Sequence, residues 1–450
     1  MKILINRRLA RILLHAGLFL VVFKVAGQPS INDIDMAIAS RDFREAARLG
    51  ALITGTGGSS PALSLRLGII SVAMNDYLKA LQYLGEAEAG GTGGIQAPLL
   101  MAECHEALGD IKSASAKFDE LVAGDRSNLY IINMYAKMLI DNRLFSDAVK
   151  WCQLLVDSVP QNPVFRKNLA VCFSQISMDD HALMHFRASW NLNDRDLGVL
   201  TAITNCILRL KMPGAGLEIV TEAIGTHPGN PVPYKCRGNL LFAMKQYEDA
   251  AEAYLNAYNL GDTISTTARQ VGFSYFGAQQ YRNAIPYLMI HYRSDTTNIE
   301  SAYCLGYAMA AWRMQEEGIK MLRYCIDLMA PDSAYYANIY SAIGKASNTL
   351  NRHSDAIGAY NDALTFNPDD PDLILGLARS FDGAGEYKDA ILYYEQYITH
   401  QEGMLKKIAD SKGITTDRFV TPSQVVFARD RVKKIRDELF FMGEIKKINR

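Results

Sequence analysis

The sequence has almost no net charge, which limits the classes of partner it can bind. Lys and Arg number 47 and Asp and Glu number 48, so the formal net charge of the 450 residues is −1. Nucleic acid is therefore not expected as a partner, because proteins that bind it usually carry a strong positive excess. Apolar residues make up 49% of the chain, which supports a large buried core and excludes a disordered tail.

Cysteine is scarce, and its number is odd. The seven cysteines cannot all pair within one chain, which argues against a closed disulfide framework. Cys104, Cys172 and Cys206 occupy the same position of the repeat described below, and equivalent positions of packed helices lie about 8–10 Å apart. A disulfide needs Cα atoms within about 7 Å of each other. We interpret these cysteines as small core residues. The alternative is that one disulfide joins two cysteines across a helix pair.

Motifs typical of enzymes are also missing. The glycine-rich runs at 55–58 and 90–94 do not lie between a strand and a helix, as a phosphate-binding loop must. His181 and His185 are spaced to face one metal ion, but no glutamate adjoins His181 as in zinc peptidases. We expect both histidines to lie on the surface. The sequence thus predicts no catalytic site, no cofactor and no metal, and a metal protein or enzyme built on these histidines is the weakest alternative.

The longest apolar run near the start of the chain has the form of a secretory signal. Residues 12–23 are apolar, follow four Lys or Arg residues, and precede a stretch of small residues that ends at Gly27. The run is short for a membrane span. We expect residues 1–27 to be a signal peptide and the protein to be periplasmic or secreted. The alternatives are an uncleaved N-terminal anchor, with membrane association only through residues 12–23, and a cytoplasmic protein.

The remainder of the chain carries a repeated pattern with two helical faces. In its clearest copy, counted from Ala337, positions 4, 7, 8, 20, 24, 27 and 32 are Tyr340, Ile343, Gly344, Ala356, Tyr360, Ala363 and Pro368. Positions 4, 7, 8 and 11 lie on one face of a first helix, and positions 20, 24 and 27 on one face of a second. We expect the two backbones to approach most closely at positions 8 and 20, where only small residues fit.

Eleven copies of this pattern can be aligned. They begin at Gly27, Pro61, Ile95, Leu129, Pro163, Leu197, Pro231, Ser265, Ile299, Ala337 and Pro371. The interval is 34 residues, except for 38 before Ala337, and we expect the four extra residues near 331–334 to lengthen one turn. Position 20 is Ala or Gly in every copy, and position 8 is Ala or Gly in all but two, Ile34 and Thr204.

The spacing resembles the tetratricopeptide repeat (TPR) family. The resemblance runs from Gly27 to about Met404 and implies an all-α fold. The expected architecture is a right-handed superhelical solenoid of about eleven helix-turn-helix repeats over residues 28–404. Beyond it, residues 405–450 are expected to form a polar loop at 410–417 and a C-terminal capping helix.

The expected capping helix has an apolar face and a basic face. The apolar residues that recur at helical spacing are Val425, Val426, Val432, Ile435, Leu439 and Phe440. The other face carries Arg429, Arg431, Lys433, Lys434 and Arg436. We interpret the basic face as solvated, with binding to a partner or an anionic surface as the alternative.

The resemblance also implies a concave groove lined by the first helices. Positions 2, 5, 6, 9, 12 and 13 tend to face this groove in the family. In repeats four to eight they carry mainly cationic and amide side chains, which can bind carboxylates and peptide backbone. The candidate partner-binding residues are Asn133, Lys137, Lys167, Asn168, Asn205, Arg209, Lys235, Asn239, Arg269 and Gln270.

Two further features of this groove bear on its ligand. Lys235 and Asn239 match two positions of the family's carboxylate clamp and Gln270 replaces its next Asn, but Glu300 and Cys304 stand where the last cations would be. Aromatic residues follow, which either anchor a partner or pack between neighbouring first helices. They are Phe242, Phe273, Phe276, Tyr303 and Tyr307.

The predicted function is protein–protein interaction without catalysis. The groove would bind a protein or peptide partner, such as an acidic segment, and neither nucleic acid nor a small-molecule substrate. The alternative is an envelope-assembly or secretion accessory factor held at the membrane by an uncleaved N-terminus.

Overall fold

The structure is a computed structural model that describes residues 29–328, 333–412 and 422–448. The predicted signal peptide lies outside these residues. Within them all regular structure is helical, with 23 α-helices, one short 3-10 helix and no strand. The predicted all-α fold of consecutive helix pairs is confirmed. The chain divides into two units, Met1–Asn193 and Asp194–Arg450, and each is described separately.

The described part of the first unit consists of five helix pairs, numbered repeats 1 to 5. Their helices are α1 (Ile31–Ala39), α2 (Phe43–Gly55), α3 (Pro61–Ala73), α4 (Tyr77–Ala89), α5 (Gln96–Ala107), α6 (Ile111–Gly124), α7 (Leu129–Asp141), α8 (Phe145–Ser158), α9 (Pro163–Gln175) and α10 (Asp179–Leu192). Odd-numbered helices are the first helices of their repeats. Asp or Asn side chains cap several of these helices, as Asn162 does at the start of α9.

The described part of the second unit consists of six helix pairs, repeats 6 to 11, and a terminal helix. Its α-helices are α11 (Leu197–Arg209), α12 (Leu217–Thr226), α13 (Pro231–Ala243), α14 (Tyr247–Asn259), α15 (Ser265–Gly277), α16 (Tyr281–Ser294), α17 (Ile299–Ala311), α18 (Gln315–Leu328), α19 (Ser333–Thr349), α20 (His353–Phe366), α21 (Pro371–Ala384), α22 (Tyr387–Lys412) and α23 (Ser423–Ile448). A 3-10 turn, Pro213–Gly216, precedes α12.

A left-handed residue at position 15 turns the chain between the two helices of every repeat. Nine repeats use a non-glycine residue there, with φ between 54° and 64°. Repeats 3 and 11 use Gly109 and Gly385, both with φ near 77° (78° and 76°). The conformation is disfavoured for residues with a Cβ, so its recurrence shows that helix packing fixes the turn.

The residue at position 20 of each second helix packs against the first helix of the same repeat. The nine alanines at this position are all 0% exposed: Ala46, Ala80, Ala114, Ala148, Ala182, Ala250, Ala284, Ala356 and Ala390. Gly318 takes the position in repeat 9, and a Cβ there would lie 2.4 Å from the backbone nitrogen of Ala310. Backbone contact thus occurs at position 20, as expected.

Position 8 requires a small residue because a large side chain lies over it, in addition to the expected approach of two backbones. A Cβ added to Gly68 would lie 2.6 Å from the side chain of Leu84, which stands at position 24. In repeat 8, a Cβ added to Gly272 would lie 2.8 Å from the side chain of Leu288 at position 24 and 3.0 Å from its backbone nitrogen. The position-24 side chain and, in repeat 8, the backbone of the second helix therefore both limit position 8.

The additional residues of repeat 10 lie in a helix, where we expected a longer turn. α19 begins at Ser333 and contains 17 residues, whereas α17 contains 13. The expected insertion at 331–334 falls partly outside the described residues. Since Ser333 stands 34 residues after Ile299, the helix starts in register with the preceding repeats. The four extra residues thus extend α19 by about one turn.

The last second helix is longer than the repeat pattern indicates. α22 runs through Lys412, past Met404 and into the segment expected to form a polar loop. After Gly403 the sequence contains no glycine or proline until Gly413, so nothing in residues 404–412 opposes a helix. The extension buries Ala409, which is 2% exposed. The rest of the expected loop lies outside the described residues.

The terminal helix α23 covers the apolar side of the last repeat, as predicted for a capping helix. Val425, Val432 and Ile435 are buried against α21 and α22, together with Ala428. The other three apolar residues of the predicted face are exposed: Val426 by 44%, Leu439 by 36% and Phe440 by 65%. The buried face is thus narrower than the pattern predicted.

The basic residues of α23 do not form one solvated face. Arg431 Nε and Nη2 each donate to a carboxylate oxygen of Asp382, at 2.7 Å. Arg429 and Arg436 pair with Glu402 and Glu395 on α22. Arg431 is 23% exposed and attaches the helix to the last repeat, so the expectation of a solvated basic face is wrong for this residue. Arg429 and Arg436 are ion-paired but remain 51% and 60% exposed, in agreement with a solvated face. Lys433 and Lys434 are exposed, as expected.

Among the described residues, no helix combines the length and the apolar content that crossing a membrane requires. The predicted apolar run at 12–23 lies outside these residues.

The contact between Gly318 and α17 can be tested with a matched pair of variants. We expect Gly318→Ala to lower the free energy of unfolding by about 1–3 kcal/mol, because the new methyl group would press on the backbone of Ala310. Gly358→Ala is the control, since Gly358 is helical and has no atom within 4 Å of an added Cβ. It should raise stability by about 0.5–1 kcal/mol. Urea unfolding measures both, and equal effects would contradict this packing.

Candidate functional site

In the first unit, the predicted groove residues lie on two first helices. Asn133 and Lys137 are on α7, and Lys167 and Asn168 are on α9. Lys137 is exposed, whereas the other three side chains are half-buried. The exposed ammonium group of Lys137 is thus the most accessible of these four sites.

In the second unit, the predicted residues lie on α11, α13 and α15. Asn205 and Arg209 on α11 are exposed. Lys235 on α13 is half-buried, and its Nζ lies 2.8 Å from Oδ2 of Asp262, which is 13% exposed. The charge of Lys235 is therefore largely balanced within the protein.

Two of the three residues that resemble a carboxylate clamp, Asn239 and Gln270, bind each other. The Tyr254 hydroxyl donates to Asn239 Oδ1 at 2.6 Å, and Gln270 Nε2 donates to the same oxygen at 3.2 Å. Gln270 and Asn239 belong to neighbouring first helices. A ligand would have to compete with this network for the Asn239 carbonyl oxygen, so the network stabilises the repeat interface in the described structure.

Four of the five predicted aromatic residues pack against each other or against a cation, whereas Phe242 is exposed and packs against Tyr247. The guanidinium of Arg269 lies 5.5 Å from the centre of the Phe273 ring. Phe276, Tyr303 and Tyr307 form a cluster with ring centres 5.5–6.4 Å apart. All three are half-buried. They pack between first helices and still present part of each ring to solvent.

The two histidines on α10 have different environments, which corrects one prediction. His181 is exposed, as expected, but His185 is buried and its ring lies 5.7 Å from that of Phe173. Burial and the charge of Arg166 lower the pKa of His185. Its Nδ1 has no hydrogen-bond partner among the described residues. Those residues also contain no group of three or more metal-binding side chains.

The cysteines are all buried thiols, as expected for core residues. Cys152 and Cys172 have sulfur atoms 4.0 Å apart. Burial raises the pKa of Cys325 to about 12, so this thiol is protonated near neutral pH.

A polar cavity lies between repeats 10 and 11 and the terminal helix. Its volume is about 440 Å³. It is lined by Lys345, Asn348, His353, Tyr360, Asp372, Leu375, Gly376, Arg379 and Gln424. The lining comes from α19, α20, α21 and α23, so the cavity combines the first helices of two repeats with a helix outside the repeats. We call it the terminal cavity.

Two glycines allow Tyr360 to lie beneath the terminal cavity. A Cβ on Gly344 or Gly376 would lie 2.7 Å or 2.4 Å from the Tyr360 ring, on its opposite edges. The residue is 2% exposed, and burial raises the pKa of its hydroxyl. This hydroxyl has no hydrogen-bond partner among the described residues. It is therefore a protonated donor that lines the terminal cavity.

Asn348 is held in place by both neighbouring helices. His353 Nδ1 lies 3.1 Å from Asn348 Oδ1, and Asn348 Nδ2 donates to Ser380 Oγ at 2.8 Å. Ser380 in turn donates to the carbonyl of Gly376 at 2.8 Å. These bonds connect α19, α20 and α21. They fix one wall of the terminal cavity before any ligand binds.

The cations of the terminal cavity are exposed at its surface. Neither Lys345 nor Arg379 has a carboxylate within 4.0 Å in the described part of the chain. Arg379 lies over the Phe427 ring of α23, 5.1 Å from its centre. Asp372 supplies a negative charge to the same lining. The charged side chains therefore leave one net positive charge.

A smaller cavity adjoins the terminal cavity at Lys345, which lines both. Its volume is about 130 Å³, and its walls include the ring of Tyr307 and the small residues Ala310, Ala342 and Ala346. This lining is mostly apolar. Together the two cavities offer a narrow apolar recess beside a broader polar one.

The residues of the terminal cavity were not among the predicted sites, although a signal was present. Lys345 and Arg379 stand at position 9 of repeats 10 and 11, one of the positions expected to face a groove. The predicted groove residues all belong to repeats four to eight. Gln424 lies outside the repeats, so the repeat pattern could not have indicated it.

Comparison with known proteins agrees with the repeat pattern. Residues 342–403 match the family model described as tetratricopeptide repeat. The match includes every lining residue of the terminal cavity except Gln424. No curated protein sequence matches the chain.

Several solved structures are similar in fold. Yeast Tom70 is 12% identical over 93% of this chain and 98% of its own, with a TM-score of 0.35. The C-terminal part of a TPR repeat-containing protein from Cytophaga hutchinsonii is 15% identical over 54% of this chain and 98% of its own, with a TM-score of 0.43. A tetratricopeptide repeat protein from Parabacteroides merdae is 9% identical over 56% of this chain and 99% of its own, with a TM-score of 0.40.

The burial of His185 predicts a pH dependence of stability. Its pKa in the folded protein is below the ordinary value of about 6.5, so the unfolded chain binds more protons at pH values between the two. Stability should therefore fall as the pH drops from about 7.5 to about 5.5. We expect His185→Leu to lose less stability over this range than the wild type, as measured by urea unfolding.

His181→Leu is the control for this experiment, because it removes an exposed histidine from the same helix. It should keep most of the pH dependence of the wild type, because burial lowers the pKa of His185 more than the charge of His181 does. A His185→Leu variant with the wild-type pH dependence would show that His185 does not contribute to it.

Proposed function

We propose that the protein is a non-catalytic scaffold that binds a protein or peptide partner on the surface of its first helices. TPR folds are typical of protein–protein interaction scaffolds and are generally non-enzymatic. The observation that carries the proposal is the terminal cavity. Asn348 is held in place by its neighbours, yet the Lys345 and Arg379 side chains and the Tyr360 hydroxyl have no ion pair or hydrogen bond within the described residues.

The proposal includes the predicted cationic and amide residues of repeats four to eight as further contacts, each within its own unit. Lys137, Asn205 and Arg209 are exposed on first helices. Lys235, Asn239 and Gln270 already have partners within the protein and serve better as supports than as primary contacts. An extended segment with acidic side chains would complement the exposed cations.

The proposal can be tested with photo-cross-linking residues placed on the two kinds of helix. One pair of sites, Lys137 and Asn205, is exposed on first helices, and a second pair, Lys150 and Glu222, is exposed on second helices. In cells, we expect a shared set of proteins to cross-link from positions 137 and 205 and not from positions 150 and 222. Mass spectrometry identifies the partners. Cross-links only from second helices would contradict a first-helix binding surface.

We further propose that the protein acts outside the cytoplasm, after removal of residues 1–27. The support is the basic, apolar and small-residue order of this segment. Intact-mass measurement of protein purified from its native cells should show a chain that begins at Gln28. A full-length chain that is released only by detergent would instead support the membrane-anchored envelope-assembly or secretion factor.

A further inference from the structure

The terminal cavity has the charge and shape to select one chemical group of a partner. We infer that it binds the side-chain carboxylate of an Asp or Glu residue within an extended peptide segment, and that the terminal helix α23 is part of this site. The inference rests on the proposed function and specifies the partner group. It assigns the recognition of one acidic side chain to repeats 10 and 11, in addition to the contacts proposed for repeats four to eight.

The charges of the terminal cavity favour an anion. Lys345 and Arg379 contribute two positive charges, and neither has a carboxylate within 4.0 Å among the described residues. A carboxylate can accept from both side chains, and such charge-assisted hydrogen bonds are the stronger kind. Asp372 repels a second anion in the same cavity. Its carboxylate instead accepts a hydrogen bond from a backbone N–H group of the peptide. A single carboxylate on an extended chain matches this arrangement.

Neutral donors complete the set of groups that a carboxylate requires. The Tyr360 hydroxyl lines the terminal cavity from a residue that is 2% exposed. Gln424 contributes an amide from the first turn of α23. An ionised carboxyl group accepts about four hydrogen bonds, so the two cations, the hydroxyl and the amide can satisfy it.

The adjoining cavity favours a carboxylate that belongs to a side chain within the segment. Lys345 lines both cavities, and the smaller one offers Tyr307 and four alanines to an apolar side chain. A peptide whose carboxylate binds near Lys345 can therefore place the apolar side chain of a neighbouring residue in this recess. Two neighbouring residues of one segment then occupy the two cavities.

Helix α23 positions a cation of the site in addition to covering the last repeat. The ring of Phe427 lies beneath the Arg379 guanidinium, 5.1 Å away, and restricts where this flexible side chain can lie. Phe427 is 44% exposed, so its ring is not needed to fill the core. We treat Phe427 as a positioning residue that acts through Arg379.

The test uses a randomised hexapeptide library that is acetylated at its N-terminus and amidated at its C-terminus. Charge in these peptides comes only from side chains. The library is passed over the immobilised protein, and the retained peptides are sequenced by mass spectrometry. We expect Asp and Glu to be enriched at one position, with a small apolar residue enriched at a neighbouring position. Retained sequences are then synthesised, and their affinities are measured by fluorescence polarisation.

Variants assign the binding to the terminal cavity. Lys345→Met and Arg379→Gln should each weaken binding by about tenfold or more, the effect expected for losing a charge-assisted hydrogen bond. Phe427→Ala should weaken it less, and Phe427→Tyr should restore it, because the aromatic ring returns. The controls are Lys388→Met and Arg282→Gln, which remove exposed cations from second helices and should leave the affinity unchanged.

The outcomes separate this inference from the proposed function. Retained peptides without Asp or Glu enrichment would overturn the inference and leave peptide binding in place, as would equal affinities for Lys345→Met and the controls. A second library, identical except for its free C-terminal carboxylates, serves as the comparison. Retention of this second library alone would overturn the choice of a side-chain carboxylate in favour of a chain end. No retention from either library would overturn the inference, whereas cross-linked partners at positions 137 and 205 would still support the scaffold function.

Discussion

The contact between the two helices of each repeat is the constraint on which the rest of the structure depends. Position 20 is completely buried in nine repeats that use alanine, and in repeat 9 only glycine avoids the backbone of Ala310. Because a pair of helices this close leaves no room for a larger side chain, every repeat adopts nearly the same arrangement. The first helices then present the same numbered positions repeatedly, which places Lys345 and Arg379 in equivalent sites of neighbouring repeats.

This repetition explains why the fold could be predicted from sequence and some of its details could not. Small residues at fixed spacing are a local signal that eleven copies reinforce, and the all-α architecture follows from it. The left-handed turn at position 15 carries no comparable signal, because residues as different as Ser177 and Arg313 occupy it. Its conformation is imposed by packing. The repeat period gives the number of extra residues before Ala337 but not their location. A longer turn was therefore expected where the structure has a longer helix.

The candidate site was harder to predict, because exposure and pairing depend on contacts between repeats. Lys235 matched a family position, but Asp262 at 2.8 Å balances its charge. His185 was expected on the surface, but packing against Phe173 buries it. Lys345 satisfied the same positional rule as the predicted residues and was missed because the rule was applied only to central repeats. Sequence therefore did not indicate which of these side chains are buried or paired within the protein.

The end of the second unit shows how covering a core can create a site. The last repeat has an apolar side that must be covered, and Val432 and Ile435 of α23 do so. Arg431 fixes this helix through two hydrogen bonds to Asp382, whose side chain is only 13% exposed. Once α23 is held there, its first turns lie beside α21, where Gln424 lines the terminal cavity and the Phe427 ring contacts Arg379. The same attachment that stabilises the last repeat therefore builds one wall of the cavity. Loosening α23 would then change the terminal cavity and lower stability together, so the helix cannot be treated as a cap alone.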